Sequence, residues 1–503
     1  MSTDHNNEPI DPMIHQQGNR RPEVDSQTGG RLDRRAFLKL AAGGALGAAG
    51  VVSFTRLGRG GGTHPSTALR PVRYTAYRNT SATKRWTLSA TDGYVSMPDP
   101  GQVTQMAPYW PDVLAYPDTD TYVFGFVDVT NIAGFRDANL SAAWGDPSQL
   151  QAPIDFKGFA QLSAPTIYCD EGDDIRLTVR NEGFAVRPDL FDNHTVHWHG
   201  FPNQIPYFDG VPDASLGVPD GAELTYQFIP EDPGTYMYHC HVEDVEHVTM
   251  GLHGMVFVRP RKGANFAYND TDGSTQFDRQ FAILLTDIDV ENHWNDGHIQ
   301  VSDWSQFRTT FGLMNGRGWP DTIEPNGPFF NRDTGLWHPN QIAGNRLAHN
   351  PNSSLIQANA GDRVLLRISN LGFDEKSLVL PGLPVTIHGR DAKWQGEGRA
   401  DYSGSATRGS LVTTTNRIDI GPGESRDVIF TAPAPASSDA NSPDVYPFYD
   451  RSIVFRQKQT GAGGSRDGFG STRTEVHVYP AGYLGAQAHP NQVFPRPNGS
   501  YHS

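Results

Sequence analysis

One stretch of this chain is written twice. Gly172 to Phe184 reads G-D-D-I-R-L-T-V-R-N-E-G-F, and Gly361 to Phe373, 189 positions on, reads G-D-R-V-L-L-R-I-S-N-L-G-F. In both, apolar residues alternate with others, the period-two signature of a half-buried strand. Around each copy lie short β-branched and aromatic runs broken by Gly, Pro, Asn and Asp, and no long stretch of helical period follows the leader. With 53 Gly and 37 Pro in 503 residues the chain is rich in turns without being low-complexity. These features predict an all-β protein of two β-sandwich domains, residues 66–262 and 263–485. Thr431 to Pro443 and Thr460 to Gly470 read as loops of the second unit, and 486–503 as a loose tail.

Residues 1–65 read differently. A polar, Asn/Gln/Pro-rich start leads to Asp33-Arg34-Arg35-Ala36-Phe37-Leu38-Lys39 and then a Gly/Ala-rich apolar run from Leu40 to Val52. That run is too short to span a bilayer, which needs about 20 apolar residues. The paired arginines resemble a twin-arginine export signal, with Asp33 where Ser or Thr is usual. The expectation is a disordered leader and a periplasmic, extracellular or cell-surface destination. The net charge of −15 and the lack of basic runs argue against nucleic-acid binding.

The chemistry is concentrated in two short runs, Asn193-His-Thr-Val-His-Trp-His-Gly200 and Tyr238-His-Cys-His-Val-Glu-Asp-Val-Glu-His247. On a strand, residues i and i+2 share a face while i+1 points to the other. His197 and His199 therefore share a face, as do His239 and His241, and Cys240 points away from its neighbours. His194, an odd number of residues from His197, falls with Cys240 if the strand is regular. The alternation predicts two clusters back to back, one of His194, Cys240 and His247, the other of His197, His199, His239 and His241. Two imidazoles and a thiolate are the ligand set of a blue-copper electron-transfer site, whereas a structural zinc site would use a second nearby cysteine. The second cluster is all imidazole and suits copper that handles oxygen species. Cys169 reads as a buried thiol rather than the disulfide partner of Cys240.

At these residues the chain resembles the multicopper oxidases (laccases and relatives). H-x-x-H-x-H-G, then H-C-H, then H-x-x-x-G carry the likeness, supported by Asp209-Gly210-Val211, Pro233-Gly234-Thr235-Tyr236 and, more weakly, Asp92 to Pro98. The resemblance implies two cupredoxin-like Greek-key sandwiches and a copper cofactor. It assigns His194, Cys240 and His247 to a type 1 copper, His197 to a type 2 copper, and His199, His239 and His241 to a type 3 pair. Donor electrons would enter at His247 and pass through Cys240 to His239 and His241, with dioxygen reduced to water and a phenol or metal ion as donor. The last type 1 histidine usually follows the cysteine by five residues; here it follows by seven. The axial slot falls on Leu252, with Met250 competing.

The family's trinuclear site takes eight histidines, four from each domain, and the first unit has four. By the repeat offset His199 maps to His388, His197 to Thr386 and His194 to Leu383, while Val445-Tyr-Pro-Phe-Tyr-Asp-Arg451 matches Thr235 to His241. The second domain thus reads as almost without copper ligands. Three outcomes stay open: a homo-oligomer whose second copy completes the cluster, a lone copper as in nitrite reductases with a donated histidine such as His338, His349 or His388, or a blue-copper electron carrier. Asp244 and Glu246 read as solvated acids or as groups that orient a phenol or attract a cation beside His247.

Overall fold

The computed structural model describes residues 83–98, 106, 108–116, 118–130, 156–202, 204–326, 346–397, 409–451 and 470–495. The leader with its arginine pair, His338, and all of the 460–470 loop but Gly470 lie outside these.

The first sandwich contains β1 (Thr83–Val95), β2 (Thr121–Asp128), β3 (Ile167–Asp170), β4 (Asp174–Asn181), β5 (His197–His199), β6 (Glu223–Phe228), β7 (Gly234–His239) and β8 (His253–Arg259). They form two sheets, ordered β2-β1-β4-β6 and β3-β8-β7-β5. The second sandwich contains β9 (Arg279–Ile288), β10 (Phe311–Met314), β11 (Ile356–Asn359), β12 (Arg363–Asn370), β13 (Lys376–Val379), β14 (Val385–Arg390), β15 (Lys393–Trp394), β16 (Thr413–Thr415), β17 (Arg417–Ile420), β18 (Ser425–Thr431), β19 (Asp444–Asp450) and β20 (Arg473–Tyr479). Its sheets run β10-β9-β12-β18-β14-β15, with β16 on β14, and β11-β20-β19-β13-β17. The two units share a plan. β1 lies parallel to β4 as β9 does to β12, and β3 parallel to β8 as β11 does to β20.

The repeated stretches are β4 and β12. In β4 buried and half-exposed residues alternate; in β12 everything after Arg363 is buried. The difference follows from packing. β12 faces its own core with Leu366 and Ile368 on one side, while on the other the buried Arg367 guanidinium lies 4.5 Å from the Phe257 ring of the first sandwich. Around it Thr235 donates to Asp427 and the Ser425 hydroxyl donates to the Thr235 carbonyl at 2.7 Å. Met255 and Phe257 of β8 share an apolar cluster with Ala282 and Leu284 of β9. The described residues fall in one compact unit, Ala76–Ser503.

The sequence reading needs three corrections. Residues 486–495 are not a loose tail: Gln487 and Asn491 accept from the backbone of β9 at Gln280 and Ala282, and Phe494 donates to Gln357 of β11. Among the described residues two short helices interrupt the strands, α1 (Asp244–Met250) and α2 (Val290–Gly297). Lastly, the uniform 189-residue offset fails beyond β12. β13 pairs with β19 as β5 pairs with β7, and Val379 lies opposite Tyr449 where His197 lies opposite His239. His197 and Val379 are 182 positions apart, so the second unit is seven residues shorter there. The structural counterparts of His197 and His194 are therefore Val379 and Lys376, not Thr386 and Leu383, and His388 stands on β14 in the other sheet.

Candidate metal centre

β7 carries the chain to the site, and Cys240 is the first residue past its end. Its N–H donates to the Leu252 carbonyl at 2.9 Å, so the extended alternation continues for one more step. The sulfur and the flanking rings consequently leave on opposite sides. On one side Cys240 Sγ lies 3.3 Å from His247 Nδ1 and 4.0 Å from His194 Nδ1, and the Thr195 N–H reaches the sulfur at 3.4 Å. The ligand atoms of these three buried residues all lie within 4.8 Å of one another. On the other side the ligand atoms of His197, His199 and His239 form a second group within 4.8 Å. The His241 ring joins it at 5.2 Å from His197 and 5.7 Å from His239, centroid to centroid. All seven residues singled out by the alternation are thus brought together in the two clusters expected.

His194 gets there differently from the regular strand supposed. It precedes β5 and is held by an isolated bridge to Val218, with backbone bonds of 3.0 and 2.8 Å. The seven-residue step from Cys240 to His247 is explained by α1. Its single run of helix lifts the chain out and returns His247 to the sulfur, and the Leu252 N–H then bonds the His247 carbonyl at 3.0 Å. Gly251 closes that turn at φ +126, where a Cβ would meet the Phe124 carbonyl at 2.3 Å; only glycine fits. Met250 and Leu252, the two candidate axial residues, are both fully buried in the apolar cluster around Cys240.

Hydrogen bonds select the ring nitrogens offered to a metal. His197 Nδ1 donates to the Asp209 carbonyl at 2.7 Å and His239 Nδ1 to the Cys240 carbonyl at 2.8 Å, leaving both Nε2 atoms unprotonated. His239 Nε2 in turn accepts from His199 Nδ1 at 3.2 Å. Asp209 approaches β5 because Gly210, at φ +77, has no Cβ to strike the Val196 carbonyl.

Burial, assisted by His247, holds His194 well below the usual imidazole range. Burial likewise lowers His197 and His199 and pushes His239 down to about 3. These rings are neutral at pH 7, the state in which imidazole binds metal. His247 goes the other way. Burial opposes its charge, but the Asp192 carboxylate, 3.7 Å from Nε2, and the Cys240 sulfur outweigh it and push the ring up to about 10. A soft thiolate with two imidazoles fits copper, and the group's chemistry agrees with that set.

The remaining candidates are not ligands of either group. Cys169 is a buried free thiol whose nearest polar contact is the Phe257 carbonyl at 3.9 Å, and Cys240 is free as well. His349 bonds the Ala160 carbonyl, and His388 is buried with Nδ1 unpartnered, near Arg363 and Asp270. Asp244 and Glu246 part company: Asp244 stands 4.0 Å from His241, whereas Glu246 lies beside Trp304 and in the field of Asp192. A cavity of about 310 Å³ opens beside His199 and His239. The second sandwich walls it with Leu371, Gly372, Phe373, Pro422 and Gly423, bringing no imidazole among its described residues. Sequence reasoning missed that wall and Trp304: Leu371, Gly372 and Phe373 end the second copy of the repeat, where nothing marks them as cavity lining, and Pro422, Gly423 and Trp304 lie between strands and carry no motif.

Residues 160–263 match the family model for multicopper oxidase. Among curated proteins the chain is 32% identical over 157 residues to multicopper oxidase VdtB of Byssochlamys spectabilis, covering 30% of this chain and 20% of that one. It is 27% identical over 277 residues to putative laccase-9 of rice, Oryza sativa subsp. japonica, covering 54% and 38%. The chain thus spans between about a fifth and two fifths of these relatives' lengths. Among solved structures, blue copper oxidase from Nitrosomonas europaea aligns with a TM-score of 0.48 at 19% identity over 78% of this chain and 85% of that one. Copper nitrite reductase from the same organism aligns with a TM-score of 0.45 at 14% identity over 82% and 98%.

Proposed function

We propose, from the match of residues 160–263 to the multicopper oxidase family model, that the protein is a copper-dependent oxidoreductase of laccase type. A phenolic or metal-ion donor gives up one electron at a time, and four electrons with four protons reduce one dioxygen to two waters.

One observation carries this reading: a single residue, Cys240, has its sulfur in one cluster while its peptide neighbours, His239 and His241, reach into the other. His194, Cys240 and His247 would hold a type 1 copper; His197, His199, His239 and His241 would hold copper at the oxygen-reducing centre. Bound copper would supply the one-electron cycling. The chain itself supplies the path. From the sulfur it runs through the Cys240 backbone to either neighbouring ring, and a second branch crosses the bond from the Cys240 carbonyl to His239 Nδ1. The neutral rings of His197, His199 and His239 need lose no proton to bind metal.

Four imidazoles are half of a trinuclear set, and the second sandwich adds none at the cavity wall among its described residues. A homo-oligomer presenting the same patch across a two-fold axis would supply the rest. A second reading, a lone copper on His197, His199 and His239 beside a blue electron-transfer site, is favoured by the close grouping of those three. The paired arginines support export across a membrane.

Reconstitution with copper tests the proposal. The expected outcome is an intense thiolate-to-copper band, more than one copper per chain, an oligomer in solution and oxygen uptake with a phenolic donor. Cys240→Ser should abolish both band and uptake; uptake that survives the substitution refutes the electron path. One copper per chain without oxygen uptake would establish an electron carrier instead.

A further inference from the structure

The edge of His247 that faces away from the sulfur is closed. Its side chain is 0% exposed, with Nδ1 toward Cys240 and Nε2 toward Asp192 at 3.7 Å. Asp192 faces that edge, its side chain 21% exposed. Glu246, the residue before His247, lies in the field of Asp192 and has Trp304 beside its carboxylate. Trp304 itself packs, half-buried, against the apolar cluster containing Cys240, Met250 and Leu252.

Trp304 belongs to the second sandwich, in the excursion between β9 and β10. That excursion is firmly seated on the first. On α2, His293 Nδ1 donates to the Tyr122 carbonyl at 2.6 Å, and Asp296 pairs with Arg187 at 3.0 Å. Just past α2, His298 Nε2 meets Asp112 at 2.8 Å. The turn bearing Trp304 is tied back to α2, because Asn292 accepts from the Asp303 N–H at 2.9 Å while its amide donates to Asp289 at 3.0 Å. The turn that bears the indole is therefore held to α2 by hydrogen bonds.

We propose that Trp304 is the specificity-determining residue for the electron donor: packed on the cluster that holds Cys240 and set beside Glu246, its indole shields the approach to the Nε2 edge of His247, so that donors are sorted by how closely their size lets them approach. The proposal rests on reading His194, Cys240 and His247 as the type 1 site. Outer-sphere transfer falls steeply with distance, so a shield one side chain thick slows a bulky donor more than a compact one. The acids at the rim, Asp192 and Glu246, add a charge preference against anionic donors.

Two arms test it, with Trp304→Ala and Trp304→Phe in the full chain. The first needs no copper. Hydroxyl-radical footprinting of the metal-free protein should show His247 protected in the unmodified chain and in Trp304→Phe, and oxidised several-fold faster in Trp304→Ala. The second follows anaerobic reduction of the thiolate–copper band by hydroquinone and by its di-tert-butyl derivative. Trp304→Ala should narrow the rate ratio between the compact and the bulky donor by about tenfold, and Trp304→Phe should leave it near its original value. A general loss of stability would slow both donors alike and leave the ratio unmoved. An unchanged footprint and an unchanged ratio in an alanine variant that keeps its band overturn the proposal. Trp304→Val serves in both arms if the alanine variant does not fold. Absence of the band from the unmodified chain would instead defeat the type 1 reading, with the footprint still reporting whether the edge is shielded.

Discussion

The two sandwiches are the same construction put to different uses. Asn181 and Asn370 each accept from a glycine N–H two residues on, at 2.9 Å, closing the same turn after the same strand. Asp92 and Asp287 occupy matching positions on β1 and β9, each two residues beyond the partner of those asparagines. In the first unit Asp92 accepts from the backbone at Ala185, Val186 and Arg187 and from the Tyr122 hydroxyl, and the loop it steadies leads to His194. In the second unit Asp287 instead meets Lys376 Nζ at 2.6 Å, a fully buried ion pair, and Lys376 is the counterpart of His194. Asp450, the counterpart of Cys240, accepts from the Ser377 N–H at 2.8 Å. The comparison teaches that the candidate ligands are grafted onto a scaffold that stands without them. Where those residues are missing, opposite charges and hydrogen bonds satisfy the buried positions.

The largest expected contrast lies at the paired positions themselves. His239→Ala should remove copper from the second centre, weakening it by more than the roughly hundredfold that loss of an outer-sphere partner costs, while the thiolate–copper band remains. Tyr449→Phe, its counterpart, should leave copper per chain unchanged. Metal analysis and electron paramagnetic resonance read both; a copper loss in Tyr449→Phe would break the comparison.

A smaller effect is expected from pH on the metal-free protein. His239 has its folded value near 3, below its ordinary 6.5, so the stability it contributes is present above pH 6.5 and is lost as pH falls toward 3. His247 has its folded value near 10, so its contribution is complete below pH 6.5 and is lost as pH rises toward 10. Each group accounts for roughly 1.4 kcal/mol per pH unit at most within its window. Denaturant midpoints should therefore peak near pH 6.5. His239→Ala should flatten the acid limb only, and an unaltered limb would show that the first sandwich's histidines are not the buried neutral groups described here.

The smallest effect belongs to His388. It is buried with one unpartnered nitrogen and remote from both clusters, so His388→Gln should alter the denaturation midpoint by no more than about 1 kcal/mol and leave copper content as it was. A drop in copper would mean that β14 does reach the centre.

Much of this was legible in one dimension. The doubled stretch announced two like sandwiches, and the alternation at His239-Cys240-His241 announced two back-to-back clusters, because successive side chains on extended backbone must leave on opposite faces. Other features were not legible for identifiable reasons. α1 is seven residues long, too short for a helical period to emerge. The seven-residue slip before β13 leaves no mark in composition and is exposed only by the pairing of Val379 with Tyr449. The seating of residues 486–495 depends on bonds to strands more than a hundred positions away, at Gln357 and Gln280.

By itself, then, the sequence determined the β architecture, the identity of the seven ligand candidates and the side of the ribbon each occupies, since all three follow from local backbone geometry and side-chain chemistry. Only the tertiary structure decided that His247 is fully buried, that the described residues of the second sandwich bring no imidazole to the histidine cavity, and that Lys376 stands at the counterpart of His194. Those outcomes depend on which distant segments pack together, and that choice is made by the burial of whole surfaces rather than by the residues that happen to meet there.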